Sequence, residues 1–181
     1  MNDAGVTQRL RRGRLVVATP SLVDPNFAHT VILLLDHGAD GAVGVVVNRP
    51  SGIAVRAALP AWLGTVASPP VVFSGGPVQR DAVIALARVE RPSSDGAAIL
   101  PGVAAVDLGV GEYRPGTVRV FAGYAGWGAG QLEGEVAAGG WFVFDARPDD
   151  AFSDDPAGLW LAVIRRQGGL FTAACDDPTR N

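Results

Sequence analysis

A chain of 181 residues, 48% of them hydrophobic and 18% charged, is long and apolar enough to form one hydrophobic core without disulfide bonds or a structural metal ion. Its net charge of −3 argues against a broadly basic surface for nucleic acid, and the single cysteine, Cys175, excludes a disulfide framework. All fifteen basic residues are arginines. A lysine nucleophile, a lysine general base and a P-loop lysine are therefore excluded.

The N-terminal residues 1–12 are predicted to form a flexible basic arm, which could touch nucleic acid. Four arginines lie within residues 1–14, ahead of an acidic remainder. The apolar segment that follows is short and lacks a cleavage pattern, so we predict no secretory signal. No apolar run approaches the ~20 residues of a membrane span. A cytoplasmic protein without a membrane partner is expected.

Strands are predicted where short β-branched runs are bounded by glycine, proline or polar residues. In chain order these runs are residues 15–19, 30–36, 42–48, 71–74, 82–89, 103–108, 117–123 and 141–145. The second and third runs form a hairpin. Their almost continuous apolar character predicts a sheet that is covered on both faces.

Helical patterns are few and dispersed along the chain. Residues 51–63 form a weak helical segment interrupted by a proline, residues 91–96 form a polar turn, and residues 131–138 form a helix after the glycine-rich segment 123–130. A last helix, with good capping residues at both ends, covers residues 156–167. Strands dominate without regular alternation with helices, which favours an α+β fold with a mixed sheet.

Polar residues at strand ends and turns are the candidates for a binding site, because loops leave a rigid scaffold there. His37 lies at the hairpin corner and is a candidate acid or base. Ser74 precedes two glycines at the end of a strand, where a hydroxyl and backbone amides can line a pocket. The remaining candidate binding residues are Asn48, Gln131 and Glu135.

Neither a metal site nor a cofactor is predicted. His29 and His37 lie on one extended run, where they would stand roughly 26 Å apart. The glycine-rich segment matches neither phosphate-loop pattern, and Glu133 and Glu135 would repel a phosphate at the start of the following helix.

Three ordered motifs carry a family resemblance. They are TPSLVDPNF with GAVGVVVNRP inside residues 14–50, VFSGGPV at 72–78, and VFAGYAGWGAGQLEGEVAAGGWFVF at 120–144. With them the chain resembles the AlgH/YqgE family of uncharacterised bacterial proteins. The resemblance implies a cytosolic α+β protein in which residues 13–175 form one compact domain of coiled mixed sheets with flanking helices, followed by a tail at 176–181. The family is sometimes labelled a transcriptional regulator, but no recognisable DNA-binding module is present in this sequence.

Three classes of function stay open at this point. The first is a non-enzymatic binding or regulatory protein, with a small polar pocket or partner surface for an unidentified small molecule or protein. The second is a hydrolase-like enzyme that uses a carboxylate or His37 as its base. The third is a transcription- or nucleic-acid-linked regulator that acts through the basic arm.

Overall fold

A curled β-sheet is the scaffold of the chain, and a computed structural model describes it over residues 9–90, 97–109 and 116–169. Within these residues the strands are β1 (Arg14–Ala18), β2 (Val31–Gly38), β3 (Gly41–Val46), β4 (Pro50–Ala54), β5 (Val71–Ser74), β6 (Val78–Arg88), β7 (Ala97–Leu100), β8 (Val103–Val106), β9 (Val118–Gly128) and β10 (Trp141–Asp145). The helices are α1 (Val55–Ala58), α2 (Gln131–Ala137), α3 (Pro148–Ala151) and α4 (Leu159–Arg165).

The strands follow the order β10-β1-β2-β3-β9-β6-β8-β7, and all neighbours along this path are antiparallel. Strand β4 lies off the path and pairs with β5, which in turn runs parallel to β9. The sheet is therefore mixed, and its few short helices flank it. The predicted α+β class with a coiled mixed sheet is confirmed.

The β2–β3 hairpin is buried on both faces, as its continuous apolar runs predict. Leu33 and Val45 are opposite each other in the ladder and belong to one core cluster. Their neighbours Ile32 and Val46 are also opposite each other and belong to a second cluster across the sheet. Successive side chains of a strand point to opposite faces, so the hairpin separates two layers of the core.

Strand β9 continues through most of the glycine-rich segment, five residues beyond the predicted end of the strand at residue 123. Its first part pairs with β6, and its last part changes partner and pairs with β3. The two backbones approach closely at Gly41, which has φ 130° and faces Gly128. A Cβ atom on Gly41 would lie 2.0 Å from the carbonyl oxygen of Trp127. The glycines here allow the close approach of the two paired strands.

Residues 51–63 are the second departure from the sequence prediction. Their beginning is strand β4, and only one helical turn, α1, follows it. The pairing of Pro50 with Phe73 and of Ala54 with Val71 draws this segment into the sheet. Tertiary pairing thus overrides a weak local helix preference. Strand β7 and helix α3 were not predicted.

Several predicted features fall outside the described residues, namely the first eight residues of the arm, the turn at 91–96 and the tail at 176–181. At the described end of the arm, Leu10 is 3% exposed in the core and Arg12 forms an ion pair with Asp36. Among the described helices, none is long and apolar enough to cross a bilayer.

Candidate functional site

Glu135 on helix α2 holds two tryptophans in place. Its Oε2 atom accepts hydrogen bonds from the indole nitrogens of Trp127, at 3.0 Å, and Trp141, at 2.8 Å. Its Oε1 atom accepts from Nε2 of Gln131 at 2.9 Å, and the side-chain Oε1 of Gln131 accepts from the Gly128 amide at 3.0 Å. Both predicted site residues on this helix are thus engaged in joining α2 to the strands on either side of it.

The tryptophans belong to an aromatic cluster that the chain assembles from three segments. Trp127 lies at the end of β9 and Trp141 at the start of β10, with ring centroids 6.1 Å apart. Phe27, from the loop before β2, lies 5.6 Å from Trp141 and 6.5 Å from Trp127. Both indoles are buried, so the Glu135 carboxylate satisfies donors that have little access to water.

His37 forms a side-chain pair with the same helix. Its Nε2 atom lies 2.8 Å from Oε1 of Glu133, and the exposed fractions of the two side chains are 9% and 23%. The pair ties the corner of the β2–β3 hairpin to α2. Within the described chain, no hydroxyl or thiol group hydrogen bonds to His37, so a nucleophile to accompany this acid–base pair is not seen there.

Asn48 and Arg49 brace the loop between β1 and β2. The Asn48 side chain accepts from the Val31 amide and donates to the His29 carbonyl, both at 2.9 Å. The Arg49 guanidinium donates to the carbonyls of Asn26, at 2.6 Å, and Ala28, at 3.1 Å. The Asn-Arg-Pro exit of the hairpin is therefore a backbone clamp.

Ser74 is exposed at the end of β5, and its hydroxyl has no hydrogen-bond partner in the described part of the chain. It lines a small cavity of about 30 Å³ together with Arg49 and Arg80. Of the five predicted site residues, Ser74 is the only one that lines a described cavity.

The structure brings His37, Gln131 and Glu135 to helix α2 and places Asn48 and Ser74 elsewhere. The assignment of the five residues to a binding site stays a prediction.

The largest described concavity was not predicted from the sequence. It is a groove of about 920 Å³ formed by residues 58–62 after helix α1, residues 83–85 of β6, and residues 105–109 at the end of β8. Its lining is apolar apart from Asp107, and Val83 in its wall is 57% exposed. Trp62 is the tryptophan here whose indole N–H lacks a described acceptor, since the other three are hydrogen bonded. The sequence carries no local signal for the groove, because the apolar run 82–87 looks like any buried strand.

Arg119 is a buried cation near the start of β9. It is 1% exposed, its guanidinium lies 4.1 Å from the centroid of the Phe73 ring, and it donates to the carbonyls of Ser153, at 2.9 Å, and Ser68, at 2.5 Å. Burial lowers the pKa of Arg119 to about 10, although the charge of Asp154 raises it in part. Arg119 thus joins separate segments around the core. An arginine inside the apolar run VRVF was its sequence signal.

A second cleft, of about 500 Å³, lies near these segments, and its ionic groups are largely paired. Arg166 binds the buried Asp150 through both guanidinium nitrogens, at 2.6 and 2.8 Å. Arg88 pairs with Asp149 at 2.8 Å. The first pair joins α3 to the residue that follows α4, the second joins α3 to strand β6, and together they leave few charges free for a ligand.

The sequence of this chain is similar to those of several bacterial proteins. A UPF0301 protein of Thermobifida fusca is 44% identical over 93% of this chain and 94% of its own length. A UPF0301 protein of Streptomyces avermitilis is 43% identical over the same shares.

Solved structures share the fold. The crystal structure of a protein from Corynebacterium diphtheriae matches with a TM-score of 0.85 and 29% identity, over 91% of each chain. The solution structure of the AlgH protein from Pseudomonas aeruginosa matches with a TM-score of 0.66 and 29% identity, over 91% of this chain and 93% of that one. The family model described as AlgH-like matches residues 15–172. The chain belongs to the AlgH-like family.

Proposed function

We propose that this chain is a non-enzymatic binding protein that holds an apolar segment of a partner polypeptide in the groove between α1 and the β6–β8 corner. The observation that carries the proposal is the groove itself, which is the largest described concavity and whose lining side chains are apolar except for that of Asp107. Exposed apolar surface of this kind marks interaction sites, because leaving it in water costs free energy.

The shape of the groove favours a polypeptide over a small apolar ligand. Pockets for small ligands enclose most of the ligand surface, whereas this groove is open to solvent along one side. A polypeptide segment can bury one face there and leave its other face in water. Asp107 is the charged group in the wall, and its side chain accepts from the Gly109 amide at 2.8 Å. A basic residue flanking the apolar ones would complement it.

The hydrogen bonds of the predicted polar site residues also support binding over catalysis. Both oxygens of Glu135 already accept hydrogen bonds, and the Asn48 side chain is bonded at both its oxygen and its nitrogen. Side chains engaged in this way stabilise the scaffold and are poorly placed to move protons.

The test selects short random peptides displayed on phage against the intact chain and measures the binding of the selected peptides to two variants. Val83→Asp places a carboxylate in the groove, and Val23→Asp is the matched control, since Val23 is 82% exposed and does not line it. Binding should weaken by at least about tenfold in Val83→Asp, because an unpaired charge in an apolar contact is costly. It should be unchanged in Val23→Asp.

Two results would overturn the proposal. The first is a selection that enriches no peptide. The second is a set of peptides that bind Val83→Asp as tightly as the intact chain. Peptides with a flanking arginine should also bind more tightly than the same peptides with glutamate, and the reverse order would refute the role of Asp107.

A hydrolase-like activity is the second candidate. The His37–Glu133 pair favours it, since a carboxylate that orients a histidine is a known arrangement for a general base. Hydrolysis of a panel of nitrophenyl esters should then disappear in both His37→Ala and Glu133→Gln. Turnover that survives both substitutions excludes this assignment.

A nucleic-acid-linked role of the arm stays a prediction, tested by salt-dependent DNA binding before and after deletion of residues 1–12.

A further inference from the structure

A small polar cavity lies where the β1–β2 loop meets the end of β5 and the turn into β6. Arg49, Ser74 and Arg80 line it, and no carboxylate is among its lining groups. Its volume of about 30 Å³ accommodates one water molecule or one ligand oxygen. The cavity is separate from the apolar groove, with which it shares no lining residue.

Arg49 is held in position without neutralisation of its charge. Two of its guanidinium nitrogens donate to the carbonyls of Asn26 and Ala28, and no acidic partner is described for it. A guanidinium has five N–H donors in a fixed planar arrangement. Donors therefore remain for a ligand, and little conformational entropy is left to lose when one binds.

Arg80 adds a second positive charge that has no partner. Its side chain is exposed, and no hydrogen bond or ion pair is described for it, whereas Arg12, Arg88 and Arg166 each pair with an aspartate. The nearby loop carboxylate of Asp24 accepts the Asn26 amide at 2.8 Å. Two cations beside one cavity repel each other, and an anion placed between them removes that repulsion.

We propose that the terminal phosphoryl group of a small phosphomonoester binds at the mouth of this cavity, with one of its oxygens inside. The dianion matches the two arginines in charge, and arginine donors fit phosphate oxygens in pairs. The Ser74 hydroxyl is free to donate to a further oxygen. Since the cavity admits one oxygen, the rest of the ligand stays outside. This site goes beyond the apolar groove and does not depend on it.

The test titrates the intact chain with inorganic phosphate at constant ionic strength and follows binding by calorimetry and by ³¹P line width. Arg80→Gln should weaken binding by about tenfold, the typical effect of losing one hydrogen bond to a charged group. Ser74→Ala should weaken it by a smaller factor. Arg56→Gln is the matched control, because Arg56 is an exposed arginine of α1 that does not line the cavity.

Saturable binding that is weakened by Arg80→Gln and retained in Arg56→Gln supports the site. Binding that does not saturate, or that falls equally in both variants, overturns it. Arg80→Gln should keep the far-ultraviolet circular dichroism of the intact chain, because Arg80 has no described partner to lose. Phosphate binding retained in Val83→Asp would separate this site from the groove, so either proposal can fail alone.

Discussion

Replacement of Glu135 by alanine tests most sharply whether the polar residues predicted as a binding site instead stabilise the fold. The carboxylate is the acceptor for the indole N–H groups of Trp127 and Trp141, and both tryptophans are buried. Alanine leaves these two donors without an acceptor while the aromatic rings remain in the core. It also releases Gln131 from the helix surface.

The expected loss follows from these contacts. A buried donor without a partner costs roughly 1–3 kcal/mol, so two donors predict a decrease of about 2–6 kcal/mol in the free energy of unfolding. For a domain of this size each kcal/mol lowers Tm by about 2–4 °C, which gives a decrease of roughly 4–24 °C. Glu135→Gln keeps one carbonyl oxygen, so its loss should be smaller than that of alanine.

Urea unfolding gives the free energy, and hydrogen exchange of the indole protons identifies the site of the effect. The protons of Trp127 and Trp141 should exchange faster in Glu135→Ala. Trp160 is an internal control, since its indole donates to the Ala18 carbonyl at 2.9 Å. Gln131→Ala should lower stability only slightly, because its side chain is exposed. A loss below about 0.5 kcal/mol in Glu135→Ala, the range of ordinary surface substitutions, would refute the structural role.

Three further outcomes are expected. Asn48→Ala should lower the free energy of unfolding by about 1–3 kcal/mol in urea, because two backbone hydrogen bonds are lost; a neutral result would contradict the clamp. His37→Ala and Glu133→Gln should each cost about 0.5–1.5 kcal/mol, and the double variant should cost less than their sum; additive losses would show that the pair does not interact. The stability of the intact chain relative to Arg119→Met should rise as pH increases above about 10, because burial lowers the pKa of the folded guanidinium while the unfolded chain keeps its proton to higher pH; a pH-independent difference between the two proteins would contradict the burial effect.

Local sequence patterns predicted the elements that are marked by a strongly apolar run or by a helical pattern of their own. The β2–β3 hairpin, helix α2 and strand β10 follow from β-branched runs and a well-defined helical pattern. Strand β4 and the second half of β9 were missed because pairing with β5 and β3 decides them. Those partners are distant in sequence, so no local pattern contains the information.

The candidate site was harder to predict because a polar residue at a turn has the same sequence appearance whether it binds a ligand or the backbone. The Asn48 partners lie 17 and 19 residues away along the chain, across the hairpin. Arg119 was overlooked for a similar reason, since its partners Ser68 and Ser153 come from remote loops. The apolar groove is assembled from three separate segments, and only the fold brings them together.

Intermolecular nuclear Overhauser effects between a selected peptide and the four indole rings test the central claim most directly. Trp62 lies in the groove, whereas the other three indoles hydrogen bond elsewhere. The peptide methyl groups should show Overhauser effects to the Trp62 ring and none to the other three. Effects to Trp127 or Trp141 with none to Trp62 would contradict the groove as the binding surface and direct attention to the Glu135 cluster.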